Sequence, residues 1–335
     1  MGVYNDCLGF ETAVSYITEN VRKKLEYIST SQKADVREVR LSLGRPLQIV
    51  TKRGTQYITT QGKISEKPDA QAYIVTKADI EETFRAICGY SVHTHQNEIC
   101  NGYITLKGGH RAGLCGTAVT DGKSILTLKD ISSINLRIAK QIVGVADRML
   151  PSWILNDKKS LIIAGPPCSG KTTLLRDVAR KLSNEGKRVS VVDERGELCA
   201  VFQGNAQNDL GNCCDVLNGY PKALGIMMAL RVMSPEVIVC DEIGGYEEAQ
   251  EIKSGLNSGV RFILTAHCND LESLLKRPQM KALIDSGEFG CVAFLQGGRM
   301  IGQPAKTIML EKGEYENNWP SFDSYFVNRV GSVAL

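Results

Sequence analysis

No stretch of this sequence approaches the roughly 20 consecutive apolar residues that a bilayer-spanning helix requires, so an anchor of its own is not expected. The opening residues, Met1 to Asp6, lack the apolar run of a signal peptide. Asp6 stands where an N-myristoylation signal needs Ser or Thr. There is no C-x-x-C pair among the 11 cysteines, and their number is odd. Most lie in apolar runs or beside glycine, as Cys115, Cys240 and Cys291 do. That usage fits free thiols in a reducing compartment better than a disulfide framework. Aromatic residues make up only 6% and the formal net charge is only +3. A nucleic-acid groove needs basic residues interleaved with aromatics. Here the basic clusters Arg22-Lys23-Lys24, Lys52-Arg53 and Arg180-Lys181 are scattered. Internal repeats and low-complexity tracts are missing too. The expectation is a cytoplasmic protein that meets a membrane only through partners.

What is present describes an ordinary globular chain. At 335 residues, 43% hydrophobic and 23% charged, it is long enough for one large or two ordinary domains and a core that needs no disulfides. Val14, Ile17, Val21, Leu25 and Ile28 recur at helical spacing and predict one amphipathic helix over residues 11–28. Strand-like pieces follow at 36–41, 47–51 and 56–60, broken by Gly44-Arg-Pro46 and Lys52-Arg-Gly54. Thr76-Lys-Ala-Asp79 resembles a capping box ahead of a helix carrying Ile80, Phe84 and Ile87. Residues 102–107 and 111–120 around Gly108-Gly109 predict a β-hairpin, and Asp121-Gly122 a second turn. From residue 160 the pattern changes: apolar strands at 161–164, 189–192, 236–240 and 260–265 alternate with helical segments. That alternation is the signature of an α/β unit with a mainly parallel sheet. The boundary falls between 140 and 158, with a linking helix over 144–155, so the chain divides into a smaller α+β unit of residues 1–145 and an α/β unit of residues 146–335.

The most informative run is Gly165-Pro166-Pro167-Cys168-Ser169-Gly170-Lys171-Thr172. It fits the phosphate-loop pattern G-x-x-x-x-G-K-[ST]. Leu161-Ile-Ile-Ala164 precedes it as a buried strand, and a helical pattern beginning with Thr173 follows. In that context backbone N–H groups and a helix N-terminus point at phosphate oxygens. Residues 165–173 are thus the candidate nucleotide cradle. Lys171 can reach the β- and γ-phosphates of ATP, and the Thr172 hydroxyl can ligate Mg²⁺. Cys168 sits inside this loop, which exposes nucleotide binding to oxidative inhibition.

Three further strands end in polar residues. Val237 to Cys240 runs into Asp241-Glu242. Asp241 suits the outer sphere of a Mg²⁺ bound through Thr172, and Glu242 a general base acting on water. Phe262 to Ala266 ends at His267, placed to face a γ-phosphate, since ligands of open parallel sheets bind at the carboxyl ends of strands. Val191-Val192 ends in Asp193-Glu194-Arg195. Glu194 could order the water or Mg²⁺, or simply pair with Arg195. Arg137, at the end of the run 131–138, could serve as an arginine finger. The alternative for Arg137 is a surface pair with a linker carboxylate such as Asp147.

Taken together, these residues resemble the stage III sporulation AA family, which is similar to the broader type II/IV secretion ATPases, a RecA-like group. The likeness runs through Gly102-Tyr-Ile-Thr105, Gly108 to Gly116, Ile131 to Ala139, the phosphate loop, Val192 to Glu197, Leu230 to Pro235, Val237 to Gly244 and Thr265-Ala-His267. The resemblance implies an acidic box at Asp193, Glu194 and Glu197, a Walker B glutamate at Glu242, a histidine box at His267, and nucleotide-facing arginines at Arg137 or Arg111. Two departures stand out: Asp241 replaces the glycine usual before the Walker B glutamate, and Gly244-Gly245 stands where an arginine usually follows. The resemblance also implies ATP hydrolysis with Mg²⁺ by a homo-hexamer, on the cytoplasmic, mother-cell side of a secretion-like channel built from membrane proteins of the stage III A-operon. Two other classes stay open from the residues alone: a nucleic-acid-associated RecA-like ATPase, and a nucleotide-gated scaffold with little turnover.

Overall fold

The computed structural model describes residues 2–149, 159–296, 304–311 and 314–316. The chain forms two compact units, Met1–Gln141 together with Ala200–Asn208, and Ile142–Cys199 together with Asp209–Leu335.

The first unit contains helices α1 (Gly2–Val14), α2 (Glu19–Glu26), α3 (Thr30–Asp35), α4 (Lys77–Ile87) and α5 (Gln96–Cys100). Its strands are β1 (Glu38–Ser42), β2 (Gln48–Thr51), β3 (Gly54–Ile58), β4 (Ile64–Ser65), β5 (Tyr103–Thr105), β6 (Arg111–Thr120) and β7 (Ile125–Arg137). They form one sheet in the order β4-β3-β2-β1-β7-β6-β5, antiparallel at every pairing. The α+β expectation for this part is met.

The single helix expected over 11–28 is instead α1 and α2, separated by residues 15–18. The break has a local cause. Val14, Ile17 and Thr18 are β-branched and weaken helix propagation, and the Thr18 N–H donates to Thr83 Oγ1 (3.2 Å) while its hydroxyl donates to Glu82 (2.8 Å). The apolar stripe itself is real: Val14, Ile17, Val21, Leu25 and Ile28 are all buried in this unit's core. The Thr76 capping box is formed in both directions, with Asp79 in place of Glu.

The second unit follows with α6 (Val145–Met149), β8 (Ser160–Ala164), α7 (Lys171–Asn184), β9 (Val189–Asp193), β10 (Cys214–Asn218), α8 (Lys222–Val232), β11 (Val237–Cys240) and α9 (Tyr246–Asn257). Then come β12 (Arg261–Ala266), α10 (Leu271–Leu275), α11 (Pro278–Ile284), β13 (Phe289–Leu295), β14 (Pro304–Glu311) and β15 (Glu314–Glu316). Of the linking helix expected over 144–155, α6 accounts for the start, and residues 150–155 lie outside the described residues.

The second sheet runs β10-β9-β11-β12-β8-β13-β14-β15. It is parallel from β10 through β13, and β14 and β15 join it antiparallel. β8, β9, β11, β12 and β13 are buried at every position. This is why they read as continuous apolar runs rather than alternating ones. Each fully buried Val, Ile, Leu or Phe contributes about 1.5–3 kcal/mol. Because these strands are parallel, the residues that follow β8, β9, β11 and β12 collect at one edge, and all the acidic and phosphate-loop motifs of this unit lie there.

Candidate functional site

The phosphate loop leaves β8 at Gly165 and enters α7 at Lys171. A Cβ on Gly165 would lie 2.7 Å from Ser169 Oγ and 3.0 Å from the Leu295 carbonyl, so only glycine fits. Gly170 has φ +92° and supplies no side-chain cap to the helix it precedes. The first N–H groups of α7 therefore lack a side-chain acceptor. Ser169 Oγ is buried with no hydrogen-bond partner among the described residues. Cys168 is exposed and also holds a left-handed backbone, φ +60°. A glycine-lined turn, an orphaned hydroxyl and an uncapped helix N-terminus are what an anionic phosphate would satisfy.

Lys171 is 6% exposed. Its Nζ donates to the Gly165 carbonyl (3.0 Å), the Pro166 carbonyl (2.9 Å) and His267 Nδ1 (3.0 Å). Burial lowers its pKa, and the nearby carboxylates Asp241 and Glu242 oppose that shift.

Asp241 ties the loop to the neighbouring strands. Its Oδ2 accepts from the Thr172 hydroxyl at 3.2 Å. Its Oδ1 accepts from the Thr265 hydroxyl and from the Glu242 N–H at 3.0 Å. Glu242 adopts φ +30°, an uncommon conformation for a residue with a side chain. Its N–H also donates to Thr265 Oγ1 at 2.8 Å, and its Oε2 lies 3.5 Å from His267 Nε2. Lys171, Thr172, Asp241, Glu242 and His267 are thus assembled into one connected cluster. The Thr172 hydroxyl and Asp241 carboxylate are hard oxygen donors of the kind Mg²⁺ takes.

The acidic box divides in two. Asp193 is buried and accepts from the N–H groups of Glu197 (2.9 Å), Leu198 (3.0 Å) and Cys199 (2.7 Å), so it holds the turn after β9. Glu194 faces Lys222, 4.0 Å from its Nζ. A cleft of about 200 Å³ opens here, lined among others by Glu194, Lys222, Asp241, Glu242 and Glu248.

Lys222 is not visible in the sequence as a site residue. It stands first in a helix that is apolar apart from Arg231, a place where a lysine normally reads as solvent-facing. In the fold only 11% of its side chain is exposed, and its Nζ donates to the Glu242 carbonyl. The helix carrying it can approach β9 because of Gly225: a Cβ there would lie 2.5 Å from Val192 Cγ1.

Arg137 belongs to the first unit. It is 67% exposed and its Nε lies 3.6 Å from Glu38 Oε1. The carboxylate beside it is therefore Glu38 on β1, whereas Asp147 pairs with Lys181 at 2.8 Å. Across the sheet, Arg137 stands directly opposite Arg111 on β6 and Glu38 on β1. The Arg111 guanidinium also covers the Tyr103 ring at 4.8 Å. Two like charges in register are destabilising by themselves.

The profile of the family described as "Sporulation stage III, protein AA" matches residues 11–315. The chain belongs to this family. It is 36% identical over 279 residues to "Stage III sporulation protein AA" of Bacillus subtilis (strain 168), covering 82% of this chain and 86% of that protein. It is also 28% identical over 195 residues to "Uncharacterized protein ycf45" of Cyanidium caldarium, covering 55% of this chain and 54% of that protein. Among solved structures it is similar to the ATPase DotB of Legionella pneumophila, with a TM-score of 0.51 at 14% identity, covering 82% of this chain and 75% of that one. The DotB of Yersinia pseudotuberculosis gives a TM-score of 0.52 at 14% identity, covering 83% and 76%. The fold is that of the secretion ATPases, with a RecA-like P-loop unit. Within it, the family member described here uses Asp241 to take the Thr172 hydroxyl, and the Gly244 and Gly245 N–H groups donate to Glu248 at 2.8 and 3.2 Å.

Proposed function

We propose that this chain binds ATP with Mg²⁺ and hydrolyses it, and that hydrolysis drives a secretion-like channel used in sporulation, from mother cell to forespore. In this reading it works as a homo-hexamer in the cytoplasm of the mother cell, at the membrane through the stage III A-operon proteins. No helix among the described residues is long and apolar enough to cross a membrane itself. The observation that carries the proposal is the connected cluster of Lys171, Thr172, Asp241, Glu242 and His267 at the edge where the phosphate loop lies. The alternative of a nucleic-acid translocase is not favoured, given a net charge of +3 and 6% aromatics.

Each residue has a part. Lys171 gives up the Gly165 and Pro166 carbonyls and His267 to neutralise phosphate charge. The uncapped start of α7 and the Ser169 hydroxyl donate to phosphate oxygens. Mg²⁺, when bound, supplies further charge neutralisation, with Thr172 and Asp241 as the residues that would hold it. Glu242 takes the proton of the attacking water, a role worth about 10²- to 10⁴-fold in rate. Glu194 stands at the same cleft and orders water. Arg137, with Arg111 beside it, is assigned to charge developing on the transferred phosphoryl group.

The test is phosphate release from ATP by the purified chain, with its mass in solution, with and without the cytoplasmic part of a candidate membrane partner. Mg²⁺-dependent release from a hexamer, raised by the partner, is expected. ATP binding without release would leave a nucleotide-gated scaffold instead.

A further inference from the structure

The residue least explained by the nucleotide cluster is Lys222. A cation in the first turn of a helix opposes the helix dipole, and burying most of its side chain adds desolvation. The surroundings offset both. Nζ donates to the Glu242 carbonyl and lies 4.0 Å from Glu194 Oε2 and 3.9 Å from Glu248 Oε1.

Two of those contacts, to Glu242 and Glu248, fall on the stretch that follows β11. Glu242 departs from β11 in a left-handed conformation, φ +30°, which persists only where surrounding bonds determine it. On one side, the Glu242 N–H is held by Asp241 and Thr265. On the other, its carbonyl is held by Lys222. Beyond it, Glu248 takes the N–H groups of Gly244 and Gly245, and Gln279 donates to the Gly244 carbonyl at 3.1 Å. A Gly-Gly pair has little conformational preference of its own, so the turn depends on these external bonds. Lys222 joins the turn, Glu248 and Glu194.

We propose that Lys222 is a positioning residue for Glu242: it fixes the main-chain turn at Glu242 and thereby aims the carboxylate toward His267 and the attacking water. The proposal rests on the reading of Glu242 as the hydrolytic base. It assigns Lys222 no contact with nucleotide. Its loss should therefore lower kcat and leave KM and ATP affinity in place.

The experiment compares full-length wild type with Lys222→Met, Lys222→Arg, Glu242→Gln and the double variant Lys222→Met/Glu242→Gln. Readouts are ATP affinity, kcat and KM, and backbone hydrogen exchange over residues 241–248 without nucleotide. Lys222→Met should lose about 10²-fold in kcat, the scale expected when a reacting group is misplaced by about 1 Å. KM should not change, exchange over 241–248 should quicken, and Lys222→Arg should recover most of the rate. The double variant should be no slower than Glu242→Gln alone. Should Lys222→Met fail to fold, Lys222→Gln replaces it, with the same split expected in smaller size. Wild-type kcat in a folded Lys222→Met or Lys222→Gln, or losses that add in the double variant, would overturn the proposal. A Glu242→Gln protein that hydrolyses ATP at the wild-type rate would instead remove the base reading, and this inference with it.

Discussion

The phosphate-loop lysine and the strand-end histidine are bonded to each other: Lys171 Nζ lies 3.0 Å from His267 Nδ1. An ammonium can only donate, so Nδ1 is the acceptor. The ring hydrogen then sits on Nε2, which faces Glu242 Oε2 at 3.5 Å. Lys171, His267 and Glu242 form a chain in which the lysine that would meet phosphate also sets the orientation of the imidazole beside Glu242. Drawing Lys171 onto a nucleotide frees Nδ1.

Replacing the lysine tests the first link. Lys171→Ala should bind ATP too weakly to detect by titration with a fluorescent analogue while keeping its far-UV spectrum. Wild-type affinity in the folded variant would contradict the assignment of residues 165–173 as the cradle.

Replacing the histidine tests the second. His267→Ala removes a competitor for the Lys171 ammonium and the group facing Glu242. ATP should bind as well as to wild type or more tightly, while turnover falls about tenfold or more. Affinity lost in step with rate would mean that His267 holds nucleotide rather than orienting the base.

The arginine pair gives a prediction about rate alone. Arg137→Ala should slow hydrolysis by about 10³- to 10⁵-fold if it meets the transferred phosphoryl group, with ATP affinity nearly unchanged. If it acts on a neighbouring subunit, mixing with subunits that carry Arg137 should restore rate. Unchanged hydrolysis would reduce Arg137 to the exposed partner of Glu38.

A fourth prediction concerns stability. His110 is 1% exposed, its Nδ1 accepts from the Ala139 N–H at 3.0 Å, and its Nε2 is buried with no partner among the described residues. Burial pushes its pKa from 6.5 down to about 4. Because the folded value lies below the unfolded one, this contribution is fully present above pH 6.5 and is lost as pH falls towards 4, by roughly 3 kcal/mol in all. Denaturation midpoints of wild type and His110→Gln, compared between pH 7 and 4.5, should converge as pH falls. A constant difference would show that His110 does not govern that window.

Much of the second unit was legible because its signals are local. The phosphate loop has its strand β8 before it and its helix after it, and β9, β11 and β12 are apolar runs leading into charged or polar residues. β13 has a similar apolar composition but, with no motif after it to mark it, is not among the expected strands. β10, Cys214-Asp-Val-Leu-Asn218, is short and half exposed, so its composition does not separate it from a loop. The break between α1 and α2 is hidden within an unbroken apolar stripe, because it depends on Thr83 and Glu82 far along the chain. Lys222 escapes notice for the same reason. Its partners Glu194, Glu242 and Glu248 come from three other segments, brought together only by the parallel sheet and the close approach at Gly225. Arg137 was visible as a candidate, but its partner Glu38 was set by strand register.

The most direct test of the account is a parallel measurement of ATP binding and phosphate release by the wild-type chain and Glu242→Gln. The substitution keeps the shape of the side chain and removes its ability to take a proton. The account predicts comparable ATP affinity in both proteins and a loss of about 10²- to 10⁴-fold in kcat for the variant. Equal turnover by the two proteins would contradict it.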